Sequence, residues 1–234
     1  MSQPRDRSGV STSSALALTV GVKELYSTGL YSDLTIVCRG REFRVHKAVL
    51  HTQSSVFRSM LGGKFRKTLA LDHDDPDVLA TLLHFLYNFT CPPNRSGGAT
   101  NPEAQASSFT VHVYALADKY DVPALRSLAV AQLTRLLDPK RENLEGFLAA
   151  IRAIDECTAD NTLWEIVIPR IVGNMAWLVE EEGFFALVQE MPGLNRKLLV
   201  GSAEGFGGGR AKAVVQPQAE EQDGYYSAGG RRLG

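Results

Sequence analysis

The sequence predicts an α+β fold: a small sheet flanked by helices, then an all-helical extension and a glycine-rich tail. Three observations predict it. Residues 32–45 alternate apolar and polar positions with period two around an Arg39-Gly40 turn. From Pro76 onward, large apolar residues recur three and four apart, the spacing of a helix face. Residues 201–234 hold nine glycines and few large aliphatics, too few to offset the entropy of ordering the chain.

Taken in order, residues 1–14 are rich in Ser, Arg and Thr and read as a disordered leader. Leu18, Val22 and Leu25 then form an apolar stripe on a short helix that ends near Gly29. Leu34, Ile36 and Cys38 share one face of a strand, with Asp33, Thr35 and Val37 on the other. Phe43 and Val45 alternate again, which completes a hairpin. Residues 46–52 and 54–61 read as two short helices, the second stopped by Gly62-Gly63. Residues 68–71 read as a third strand.

Asp75-Pro76 is a helix start, a capping carboxylate followed by a ring that suits the first turn. Leu79, Leu82, Leu83 and Leu86 form the stripe of that helix. Residues 90–108 contain Pro92-Pro93 and Gly97-Gly98 and read as a long surface loop. Val113, Leu116, Ala117 and Tyr120 mark the next helix, and another follows Pro123 until Asp138-Pro139 breaks it. Within residues 138–200, Leu144, Phe147, Leu148 and Ile151 form one stripe and Leu163, Ile166 and Val167 another, with Pro169 expected to kink or split the second helix. Residues 184–190 and 194–200 read as two further helical pieces. The divisions are therefore a leader at 1–14, a mixed domain at 15–137, a helical extension at 138–200 and a tail at 201–234.

Charge and cysteine content narrow the function. Against 25 basic residues stand 26 acidic ones, so no bulk attraction to nucleic acid or to an anionic membrane is expected. No apolar run is long enough for a transmembrane helix. Three widely spaced cysteines, Cys38, Cys91 and Cys157, do not form a disulfide framework, and reduced thiols imply an intracellular chain, cytoplasmic or nuclear.

Catalytic chemistry is missing from the sequence. No phosphate-binding loop, nucleophile elbow or zinc-protease motif occurs, and the tail glycines open no helix after a strand. His46 and His51 lie five apart, about 140° around a helix, and no Cys-x-x-Cys pair joins them, so no metal, cofactor or small-molecule substrate is expected.

One set of segments is specific. Tyr31-Ser32-Asp33-Leu34-Thr35-Ile36 leads to Phe43-Arg44-Val45-His46-Lys47-Ala48-Val49-Leu50. Ser54-Ser55-Val56-Phe57-Arg58-Ser59-Met60 follows, then Asp74-Asp75-Pro76, Phe85-Leu86-Tyr87 and Tyr114-Ala115-Leu116-Ala117-Asp118-Lys119-Tyr120. In this order they resemble the BTB/POZ family, most closely the BTB-only proteins of filamentous fungi. Asp33, His46 and Lys47 look like the family's charged signature.

The resemblance implies a non-catalytic protein-interaction module that forms homo-oligomers, with the helix of Leu18, Val22 and Leu25 as the self-association face. An alternative it also implies is a substrate adaptor of a cullin-type ubiquitin ligase, and another is a transcriptional co-regulator without its own DNA-binding domain. Relatives that bind cullins carry an apolar residue, any residue, then glutamate after the helical pair. Here Phe65, Arg66 and Lys67 occupy those positions, with lysine where the acid is expected.

Overall fold

The computed structural model describes residues 12–62, 66–91, 102–137, 143–158 and 160–207. Its elements are α1 (Thr12–Thr28), β1 (Leu34–Cys38), β2 (Arg41–Val45), α2 (Lys47–Gln53), α3 (Ser55–Leu61), β3 (Thr68–Ala70), α4 (Pro76–Asn88), α5 (Pro102–Lys119), α6 (Pro123–Leu136), α7 (Leu144–Cys157), α8 (Thr162–Gly173), α9 (Met175–Leu178), α10 (Glu182–Glu190) and α11 (Pro192–Gly207).

The sheet runs β2-β1-β3. β1 and β2 are antiparallel, with Leu34 opposite Val45 and Ile36 opposite Phe43. Arg39 and Gly40 both take positive φ, the twist that a tight hairpin needs. β3 adds in parallel on the other side of β1, with Ile36 opposite Leu69. The period-two face Leu34, Ile36 and Cys38 is fully buried, as the alternation predicts.

This face and α4 share one core. Asp75 caps α4, its Oδ1 accepting from the Asp77 and Val78 amides at 2.9 and 3.1 Å. Val78, Leu79, Leu82, Leu83, Phe85 and Leu86 are all buried, so α4 is covered on nearly every side. Burying each such side chain contributes about 2 kcal/mol, which makes α4 the axis of the domain. α5 packs against α4, α6 and α7, and the extension continues the same core through α7, α8, α10 and α11.

Four sequence boundaries move. Helix α1 starts at Thr12, inside the expected leader, and residues 1–11 lie outside the described residues. Helix α5 starts at Pro102, inside the expected loop. Its first turns look polar in sequence, but the Thr110 hydroxyl donates back to the Ala106 carbonyl at 2.7 Å and Ser107 is buried, so small polar residues form part of its packed face. Helix α8 runs through Pro169 without a break. Pro169 itself is exposed, so its ring lies at the surface of the helix. Helix α11 runs to Gly207, past the expected tail boundary, because Gly201 lets it lie close against α8: a Cβ there would meet Ile168 Cγ2 at 2.5 Å. The short helix α9 had no periodic signal long enough to mark it.

Candidate interaction surface and the polar pins behind it

Asp33, at the mouth of β1, accepts the Lys47 amide at 2.8 Å. The bond satisfies one of the free N–H groups that start α2, so a residue fourteen positions away acts as its cap. Lys47 contributes its backbone to this pin.

His46 is 8% exposed and makes three bonds. Its amide donates to the Tyr87 hydroxyl at 2.8 Å. Its Nε2 lies 2.7 Å from the Leu30 carbonyl, which can only accept, so Nε2 carries the proton. Nδ1 then accepts from the Tyr87 hydroxyl at 3.0 Å. With both ring nitrogens engaged, His46 ties α4, the start of α2 and the turn after α1 together and offers no free nitrogen to a metal. Burial pushes the Tyr87 phenol up to about 12, against the smaller opposing effect of the His46 amide bond.

A second pin joins β3's end to α5. Asp74, 6% exposed, accepts from Lys119 Nζ at 2.5 Å and from the Tyr120 hydroxyl at 2.6 Å. The Cys38 thiol donates to the Asp74 carbonyl at 3.3 Å. Burial and then the Asp74 hydrogen bond raise the Tyr120 phenol. Ser54 caps α3 by accepting the Phe57 amide at 3.0 Å, and its hydroxyl donates to the Tyr120 carbonyl at 2.5 Å. Phe57 and Tyr120 stack with ring centroids 4.6 Å apart. These groups hold the scaffold; their partners are all within the chain.

The stripe Leu18, Val22 and Leu25 divides. Val22 and Tyr26, four residues apart, pack inward, and Tyr26 stacks on Tyr87 with centroids 4.8 Å apart. Leu25 is half-buried. Leu18 is 71% exposed and Val20 55% exposed, because α1 reaches α4 only through its last turns. Leu30 and Tyr31, in the turn that follows, are also exposed, Tyr31 by 87%. The inward face is therefore Val22–Tyr26, and the outward apolar residues include Val20, Leu30 and Tyr31, which spacing alone did not single out.

Of the Phe65-Arg66-Lys67 segment, Phe65 lies outside the described residues. Arg66 and Lys67 are exposed. The Lys67 carbonyl accepts the Thr35 amide at 2.8 Å, which fixes its backbone at the head of the β1–β3 pair while the ammonium faces solvent. Cys157 is half-buried, and burial pushes its thiol up. Among the described residues no two cysteines form a disulfide. Among the described residues no cluster of His, Cys, Asp and Glu could hold a metal ion, and no helix is long and apolar enough to cross a membrane.

Comparison with known families decides what this arrangement is: residues 22–136 match the model of the BTB/POZ domain. This segment is a BTB/POZ domain. It is a protein–protein interaction module, and no enzymatic family is indicated. The chain is similar to mouse TD and POZ domain-containing protein 5, 34% identical over 124 residues, covering 51% of this chain and 34% of the relative. It is also similar to Arabidopsis thaliana BTB/POZ and MATH domain-containing protein 6, 25% identical over 201 residues, covering 78% of this chain and 46% of the relative. The chain thus spans a third to just under half of these relatives. The plant similarity runs well beyond the BTB/POZ segment, which places part of the helical extension within it.

Proposed function

We propose that the chain is a self-associating interaction module whose association face is α1 with the turn after it. The observation that carries this is the division of α1. Val22 and Tyr26 already bury its inner side on the core, yet Leu18 and Val20 remain 71% and 55% exposed on the same helix. An apolar surface of this kind on a helix anchored to a rigid core is what a partner helix covers. A second copy presents the same surface, which a two-fold interface requires. The balance of 25 basic and 26 acidic residues supports protein partners over direct nucleic-acid contact. The narrower likeness to fungal BTB-only proteins has the six sequence segments as its support. The mass of the full chain in solution tests the proposal.

The cullin-adaptor reading turns on Lys67, which is exposed at a fixed point of the sheet and so is available to a partner. If a partner presents a group suited to a carboxylate there, lysine replaces attraction with repulsion, a cost of about 1–3 kcal/mol or roughly 5- to 150-fold in affinity. Weak or no binding of the full chain to a cullin N-terminal region is expected, with a gain in Lys67→Glu. Tight binding insensitive to Lys67→Glu would promote the adaptor reading to first place.

A further inference from the structure

Between α8 and α11 runs a groove of about 1030 Å³ that no part of the interaction surface uses. Its floor is apolar: Trp164, Ile168, Val172 and Val200 line it. Two cations, Arg196 and Lys197, face it against one carboxylate, Glu165. Lys197 is already held, its Nζ 5.0 Å from the Trp164 ring centroid and donating to Asn161 Oδ1 at 3.2 Å. Arg196 has no bonding partner among the described residues. The groove therefore offers an aromatic and aliphatic floor with one uncommitted guanidinium at its rim, which suits a segment with aromatic side chains next to carboxylates.

The chain carries such a segment. Between Lys212 and Arg231 its only charged residues are Glu220, Glu221 and Asp223, and Tyr225-Tyr226 follows after Gly224. These are the only aromatic residues after Phe206. Reach also agrees. Helix α11 forms one wall of the groove and ends at Gly207. Eleven residues of helix separate Arg196 from that end, about 16 Å. The nineteen residues from Gly207 to Tyr226, treated as a coil, have a root-mean-square span of about 24 Å. A tether whose span is close to the distance it must bridge gives an effective concentration on the order of 1 mM.

We infer that Glu220–Tyr226 docks in the α8–α11 groove of its own chain, with the tyrosines on the Trp164–Ile168 floor and the carboxylates toward Arg196. Against that effective concentration, an intrinsic Kd of about 0.1 mM fills the groove about nine-tenths of the time. Such occupancy slows amide exchange in the covered helices about tenfold.

Hydrogen exchange on the full chain tests the inference. Four full-length proteins are compared: the wild type, Tyr225→Ala/Tyr226→Ala, Arg196→Glu, and Arg196→Glu combined with Glu220→Lys/Glu221→Lys. The tyrosine variant leaves every described contact intact. Exchange in α8 and in α11 around Arg196 should rise about tenfold in the second and third proteins and return toward the wild type in the fourth. Protection that is unchanged in the tyrosine variant overturns the inference. Protection that fades on hundredfold dilution also overturns it, because the groove is then filled by another copy or another chain.

Discussion

The Tyr87 hydroxyl and His46 close a reciprocal pair: the hydroxyl accepts the His46 amide at 2.8 Å and donates to His46 Nδ1 at 3.0 Å. Both residues are buried, and Tyr87 comes from the helix that forms the axis of the domain. The pair therefore holds α2 and the turn after α1 in fixed relation to the core.

Tyr87→Phe removes one oxygen and leaves two His46 nitrogens without partners in a buried site. An unsatisfied buried group costs about 1–3 kcal/mol, so the variant should lose about 2–4 kcal/mol of stability. Urea unfolding of the two full chains measures this. A loss under 0.5 kcal/mol, on the order of a surface substitution, would show that the pair contributes nothing.

The same tyrosine sets an alkaline limit. Its phenol titrates near 10 when unfolded and near 12 in the fold. Between those values the unfolded chain has released a proton that the native chain keeps. The unfolded state binds fewer protons, so stability falls as pH rises through this window. Tyr120 is raised in the same direction and adds to the fall. Stability of the wild type should drop more steeply from pH 10 to 12 than that of Tyr87→Phe. Equal slopes would contradict the assignment.

Gly201, inside α11, lies close against Ile168 of α8. Ile168 is β-branched and on a helix, so its Cγ2 has little freedom to swing away from a new Cβ. Gly201→Ala should cost about 1–3 kcal/mol by overpacking. A chain ending at Val200 should lose stability as well, since α11 continues past that point. Thermal melts check both, and an unchanged melting temperature in each would show that this end of α11 does not pack.

Local pattern made some of this legible in sequence and left some hidden. The burial of Leu34, Ile36 and Cys38 follows from period two, and the Asp75-Pro76 start of α4 from capping chemistry, because both signals act within a few residues. The pairing of β1 with β3 has no such signal, since Ile36 and Leu69 lie far apart in sequence and a parallel pair needs a long crossover. His46 stood out as a signature residue, yet its partner Tyr87 is 41 positions away. Asp74 and Tyr120 were each visible in a matched segment, but only the fold brings them to 2.6 Å. The stripe Leu18, Val22 and Leu25 includes Val22, which packs on the core, but omits Tyr26, which packs beside it and has a polar tip that leaves it off an apolar count.

Self-association is the central claim, and the mass of the full chain in solution tests it most directly. Sedimentation or light scattering at micromolar concentration should give twice the chain mass of 25.5 kDa. Leu18→Asp/Val20→Asp places two carboxylates at exposed positions of α1 and leaves Val22 and Tyr26, which pack on the core, in place. It should return the chain to a folded monomer with an unchanged circular dichroism spectrum. A wild type that stays at the monomer mass throughout that range, or a dimer that the double substitution leaves intact, would contradict the account.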